Sequence, residues 1–212
     1  MTKKEEWLAG TRSAVPIMLG YVPVGIAYGV MARQAGLNTW QTVLMSLTVY
    51  GGASEMMAAG MVAQGAAVLT IVLTTFILNL RHIIMSTCMF NQMQGGRLPV
   101  RMLAAFGVTD ETFAVYTTTA NAPRTPRYFF SMALCSYLSW ALGSWLGAIA
   151  TGLLPPLITA ALGISLYAMF IGLLMSGLHG NGRLAALVVL TALCNTVLCN
   201  VVQLDSGWSM IL

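Results

Sequence analysis

Five residues between positions 50 and 115 can do chemistry from inside apolar sequence: Glu55, Arg81, His82, Asp110 and Glu111. Three carboxylates face one guanidinium. One acid can pair with Arg81, which leaves acids able to hold a cation or take up protons. An unpaired carboxylate in a low dielectric can load and release a proton near neutral pH. Arg81 can clamp a carboxylate through two parallel hydrogen bonds. Its partner is a substrate carboxylate, Glu55, Asp110 or Glu111, and the sequence leaves that choice open. His82 is a candidate proton relay or a satisfied interior histidine. On a helix, Asn79 and His82 are three apart and share a face, with Arg81 pointing elsewhere. Thr109, Thr112 and Tyr116 are spaced to form one polar face beside the acidic pair. The same charges can also act only as glue between helices.

These groups stand out because the chain around them is apolar. Of 212 residues, 10 are Lys or Arg and 6 are Asp or Glu, while 58% are hydrophobic. Soluble domains carry about 25% charged residues, so 8% cannot cover a soluble surface. A soluble enzyme, a disordered chain and a nucleic-acid-binding module are excluded, and the partner is the lipid bilayer. Strand-like alternation is absent, so the expected fold is all-α, a polytopic helical membrane bundle. At about 20 residues per crossing there is room for roughly six or seven spanning segments. The four cysteines, Cys88, Cys135, Cys194 and Cys199, lie in apolar stretches without metal-ligand spacing. They read as membrane-buried residues, and no metal or cofactor is expected.

The elements that must position the charges follow from the apolar runs. Residues 1–12 form a polar head, 13–204 one transmembrane domain, and 205–212 a short tail that resembles the entrance to a further helix. Apolar stretches cover 13–32, 42–63, 66–90 (interrupted by Asn79–His82), 102–120 (with the acidic pair at its middle), 128–153, 157–178 and 184–204. If every stretch crosses once and the N-terminus is cytoplasmic, six basic residues lie inside and three outside. If 42–90 makes an odd number of crossings and 102–120 dips in and returns, the score becomes eight against one. The positive-inside bias therefore favours a cytoplasmic N-terminus and at least one broken or re-entrant segment between Thr42 and Ala120.

Glycine-rich stretches mark where such breaks or close approaches fall. The run Gly20–Gly29 holds Pro23 and a Gly25-x-x-x-Gly29 pair. It reads as a substrate-lining break or as a kinked helix packed tightly on a neighbour. The run Tyr50–Glu55 can unwind a helix at mid-membrane and expose backbone groups to substrate. Gly143-x-x-x-Gly147 reads as helix packing. The candidate substrate-binding set is Pro23, Gly25, Gly51, Gly52, Ser54, Glu55, Asn79 and Arg81. The candidate ion- or proton-coupling set is Glu55, His82, Asp110 and Glu111.

Four blocks, in this order, carry a resemblance: Gly20, Pro23, Gly25 and Gly29; the break at Gly51–Glu55; Asn79–His82; and Thr109–Phe113. With them the chain resembles the AzlC family of bacterial inner-membrane branched-chain amino acid transporters, which includes the larger subunit of the L-valine exporter. The resemblance implies a small hydrophobic AzlD-type membrane partner and export of branched-chain amino acids, in some members also methionine. Glu55 departs from the glutamine that many members carry there. Members also tend to continue into one more apolar segment beyond Leu204.

The expected function is therefore a secondary-active exporter subunit in the bacterial inner membrane, driven by an ion or proton gradient. No G-x-x-x-x-G-K-S/T phosphate loop is present to couple ATP. A zwitterionic substrate needs a cationic partner, for which Arg81 is available, and an anionic one, Glu55 or Asp110. The alternatives are a structural membrane subunit that does not transport, or a channel. An intramembrane enzyme is disfavoured: neither G-x-S-x-G nor H-E-x-x-H occurs, and no residue is assigned a catalytic role.

Overall fold

The computed structural model describes residues 2–153 except 97, 120 and 121, six isolated positions between 155 and 175, and residues 182–200. Among them are eight helices: α1 (Lys3–Gln34), α2 (Thr39–Thr48), α3 (Gly52–Ala63), α4 (Val68–Gln92), α5 (Leu98–Phe106), α6 (Asp110–Thr118), α7 (Pro126–Ala150) and α8 (Gly182–Asn200). No strand occurs among the described residues, and the all-α expectation holds. Among the described residues three helices, α1, α4 and α7, are long and apolar enough to cross a membrane. Most of the span expected at 157–178, the tail 205–212 and Arg97 lie outside the described residues.

The helices α1 and α7 form the spine of the bundle. Their glycine pairs, separated in the sequence, face one another. A Cβ on Gly25 would come within 2.9 Å of the Trp140 carbonyl oxygen and 3.2 Å of the Gly143 Cα. A Cβ on Gly29 would meet the backbone of Ser144, Gly147 and Ala148. Gly10 lies against Tyr128 and Ser131. Contacts therefore advance together along both helices, so α1 and α7 run parallel. Backbones this close require residues without a Cβ. Helix α1 continues through Pro16 and Pro23 without interruption, and Pro23 is exposed. The glycine run of α1 thus packs against α7 and does not break.

Two interrupted segments fill the space between the spine and α4. The run expected as one stretch at 42–63 is split at Val49–Gly51 into α2 and α3. Tyr50 there has a φ of 48°, left-handed backbone that a bulky residue rarely adopts. The run at 102–120 is split at Gly107–Thr109 into α5 and α6, so Asp110 and Glu111 begin a helix where the middle of one was expected. Thr109 caps α6 by accepting from the Thr112 N–H, while Thr112 returns the bond to the Thr109 N–H. At 1.5 Å per residue each half-helix spans about 14–18 Å, half a hydrocarbon core.

Their ends show that both segments return to the side they entered from. Helix α2 starts after the tight turn that ends α1, where Tyr28 donates to the Thr42 carbonyl at 3.3 Å. Only four residues separate the end of α3 from the start of α4. The hairpin α2–α3 therefore enters from the far end of the bundle. Helix α6 ends where Arg124 donates to the Thr117 carbonyl at 3.3 Å, and the Gln94 N–H, just before α5, donates to the Arg124 carbonyl at 2.6 Å. Glu6 of α1 lies 3.8 Å from Arg127 of α7 at this same head end. The hairpin α5–α6 therefore enters from the head end. The two hairpins meet halfway: Phe106 and Tyr50 have ring centroids 6.1 Å apart.

Candidate functional site

The amino ends of α3 and α6 meet at mid-bundle, opposite the middle of α4. Each carries acid in its first turn, where the helix dipole favours negative charge. Arg81 of α4 reaches across to α6, with Nη2 2.9 Å from Asp110 Oδ2. Of the carboxylates open to Arg81 in the sequence, Asp110 is the one it meets. Both side chains remain partly exposed, at 41% and 28%.

This pair sits at the mouth of a small cavity whose enclosed room is about 20 Å³. The floor is the break itself: Tyr50, Gly51, Gly52 and Ala53. Helix α4 contributes Arg81 and His82, and the α6 end contributes Thr109, Asp110 and Glu111. Tyr21 of α1 and Trp140 of α7 form the back wall, edge to face with centroids 5.4 Å apart. Tyr21 donates to Glu111 Oε2 at 2.6 Å and lies 2.7 Å from Thr109 Oγ1.

Glu55 lies behind that wall and does not line the cavity. It is fully buried, and three donors satisfy it. The Gly51 N–H donates to Oε1 at 2.9 Å, while Ser46 Oγ at 3.0 Å and Trp140 Nε1 at 3.3 Å donate to Oε2. Ser144 Oγ, 2.7 Å from Ser46 Oγ, extends the network to α7. A buried carboxylate fully supplied with donors is well placed to hold α2, the break and α7 together.

The other sequence candidates divide between cavity and packing. Gly51 and Gly52 line the cavity; a Cβ on Gly52 would come within 2.9 Å of the Trp140 ring. Ser54 is buried and donates to the Gly51 carbonyl at 2.9 Å. The Asn79 amide faces Gly51. His82 Nδ1 lies 3.2 Å from the Asn79 carbonyl oxygen. The expected divergence of Arg81 from His82 is not seen. Both line the cavity, because the long arginine side chain swings toward α6. Pro23 and Gly25 are not brought to the cavity; Gly25 lies in the α1–α7 seam. Thr112 and Tyr116 share a buried face as expected, while Thr109 serves as the cap of that helix.

Tyr21, Tyr50 and Trp140 were not singled out as site residues. Trp140 carried one signal. Tryptophan in a membrane helix favours the interface, whereas this one sits at the middle of an apolar run and is 2% exposed.

The AzlC protein family matches residues 16–154. Over 188 residues the chain is 32% identical to an uncharacterized membrane protein of Archaeoglobus fulgidus, covering 88% of this chain and 82% of the relative. It is 29% identical over 191 residues to the inner membrane protein YgaZ of Escherichia coli, covering 87% and 78%. It is 28% identical over 157 residues to the branched-chain amino acid transport protein AzlC of Bacillus subtilis, covering 70% and 61%. No solved structure matches the chain.

Proposed function

Since the chain belongs to the AzlC protein family, a family of membrane transport proteins, we propose that it is the larger subunit of a secondary-active exporter. Its substrates are the branched-chain amino acids valine, leucine and isoleucine, and methionine. It acts with a small AzlD-type membrane partner and draws on an ion or proton gradient. The observation that carries this reading is the Arg81–Asp110 ion pair at the mouth of a cavity between two half-helices.

A zwitterion can exchange into such a pair. Without substrate, Arg81 and Asp110 neutralise each other. With substrate, the carboxylate takes Arg81 and the ammonium takes Asp110 and Glu111, so no charge is stranded in low dielectric. The enclosed part of the cavity has room for little more than a water molecule. Entry therefore requires the pair to part, which links binding to a change of shape. The back wall supplies the apolar contact that a branched side chain needs.

Glu111 and His82 are the groups proposed to couple a proton or cation, because both border the same cavity. Glu55 is proposed to act through the α2–α3 break it clasps. Among the described residues of α1–α7, the head end carries Lys3, Lys4, Arg12, Arg101, Arg124 and Arg127, against Arg33 at the far end, which supports a cytoplasmic N-terminus in the inner membrane.

The second reading is a channel, because half-helices entering from opposite ends can also line a pore. Counterflow separates the two. Vesicles carrying the chain and its partner, loaded with unlabelled leucine, accumulate labelled valine transiently if the protein is a carrier. Passive equilibration without overshoot would point to a channel.

A further inference from the structure

We propose that the open amino end of α3, with Tyr50 Oη and Arg81 Nε beside it, is the seat of a ligand carboxylate, and that Tyr50 is a substrate-binding residue. This rests on the reading of the cavity as a substrate site and adds which end of the substrate goes where.

The first observation is a helix end without a cap. The N-cap of α3 is Gly51, which has no side chain to accept from the first-turn amides. The other half-helix is different, since Thr109 and Thr112 close its end reciprocally. The Gly51 N–H is committed to Glu55, but no side chain caps the N–H groups of the first turn itself. An open first turn is a ready anion site.

The second observation is independent of the helix. Tyr50 is 3% exposed, lines the cavity, and its hydroxyl has no hydrogen-bond partner. The ring is fixed by Tyr137, Phe106 and Tyr21, at centroid distances of 5.0, 6.1 and 6.4 Å. Its backbone is held in the left-handed region. Such a conformation persists where the surroundings over-determine it, as at ligand clamps. Arg81 Nε is also shut off from solvent and unpartnered, while Nη2 serves Asp110. Tyr50, Arg81 and the first residues of α3 line one cavity, and each brings a donor without an acceptor.

Polarity follows. The α6 side of the cavity presents Asp110 and Glu111, whose charges fit an ammonium group. The α3 side presents the first-turn N–H groups and the Tyr50 hydroxyl, with the Asn79 amide, which offers an NH₂ as well as an oxygen, beside Gly51. A zwitterion lies across the cavity with its carboxylate toward Tyr50 and Arg81.

The test is binding to the purified protein, together with its small membrane partner, in detergent, by calorimetry, with three probes: L-valine, isovalerate (carboxylate only) and isobutylamine (ammonium only). A hydrogen bond to a charged group sets the scale. Tyr50→Phe keeps the ring and is expected to weaken L-valine and isovalerate about tenfold or more, leaving isobutylamine unchanged. Tyr116→Phe removes another buried, unpartnered tyrosine hydroxyl away from the cavity, and is expected to change none of the three. If Tyr50→Phe does not fold, the wild-type chain carries the test: isovalerate must bind at least tenfold tighter than neutral isovaleramide. Tyr50-dependent binding of isovalerate without binding of valine would overturn the amino acid reading and keep the seat. Valine binding indifferent to Tyr50→Phe would overturn the seat and keep the substrate reading. Binding of neither carboxylate would overturn both.

Discussion

Arg81 and Asp110 join the middle of a continuous spanning helix to the first turn of a half-helix, with Nη2 and Oδ2 2.9 Å apart. Both groups are partly exposed, so the pair is not a sealed packing contact of the bundle core. Its place at the cavity mouth gives it a different role. Asp110→Asn is expected to reduce amino acid transport at least tenfold while leaving expression and thermal unfolding close to wild type. A scaffold whose charges only fix helix packing would give the opposite pattern, lost stability with transport retained.

The seam between α1 and α7 is where stability concentrates. A Cβ on Gly143 would come within 2.6 Å of the Val22 carbonyl oxygen, and one on Gly147 would press on Ile26. Gly143→Ala and Gly147→Ala are each expected to destabilise by about 1–3 kcal/mol through overpacking. Gly20, on the same helix as Gly25 but with nothing within 4 Å of its built Cβ, gives the contrast. Gly20→Ala is expected to be neutral or mildly stabilising. Thermal unfolding in one detergent compares the three.

Glu55 makes a sharper prediction because all its donors are accounted for. A glutamine amide can accept from Ser46 and Trp140 through its oxygen, but its NH₂ then opposes the Gly51 N–H. Leaving a buried donor unsatisfied costs about 1–3 kcal/mol. Glu55→Gln is therefore expected to lower thermal stability and the maximal transport rate, with little effect on the half-saturating substrate concentration, since Glu55 does not line the cavity. A large rise in that concentration with unchanged stability would place Glu55 in contact with substrate.

Much of this site was legible in the sequence, and the rest was hidden for identifiable reasons. Intramembrane charge marked Arg81, Asp110 and Glu111, because a charge at that depth must face a partner or a cavity. Consecutive glycines and small residues marked the break at Gly51. The count of basic residues in the loops favoured at least one broken or re-entrant segment between Thr42 and Ala120, and the α5–α6 hairpin is one. The second break, at Gly107–Thr109, left no proline and no acidic capping box. It relies on a Thr109–Thr112 cap, which resembles an ordinary polar helix face until the backbone is seen. The choice of Asp110 over Glu55 and Glu111 for Arg81 depends on how two hairpins meet, which no local pattern encodes. Pro23 misled for the opposite reason. It sits on an exposed face, where the chain around it can stay helical.

The hairpin arrangement has a topological consequence. Gln64, in the turn between α3 and α4, is exposed at the far end, and Gln94, after α4, is exposed at the head end. In a cysteine-free background, Gln64→Cys is expected to react with a membrane-impermeant thiol reagent added to intact cells. Gln94→Cys is expected to react only after permeabilisation. Equal reactivity of both from outside would contradict the opposed entry of the two hairpins or the cytoplasmic N-terminus.

The charged cavity between the two half-helices is proposed to carry a zwitterionic branched-chain amino acid across the membrane. Counterflow of labelled L-valine into leucine-loaded vesicles containing the chain and its small partner tests it most directly, run side by side for wild type and Asp110→Asn. Wild type is expected to accumulate label transiently, and the variant is expected to lose that accumulation. No accumulation by wild type, or equal accumulation by both proteins, would contradict the proposal.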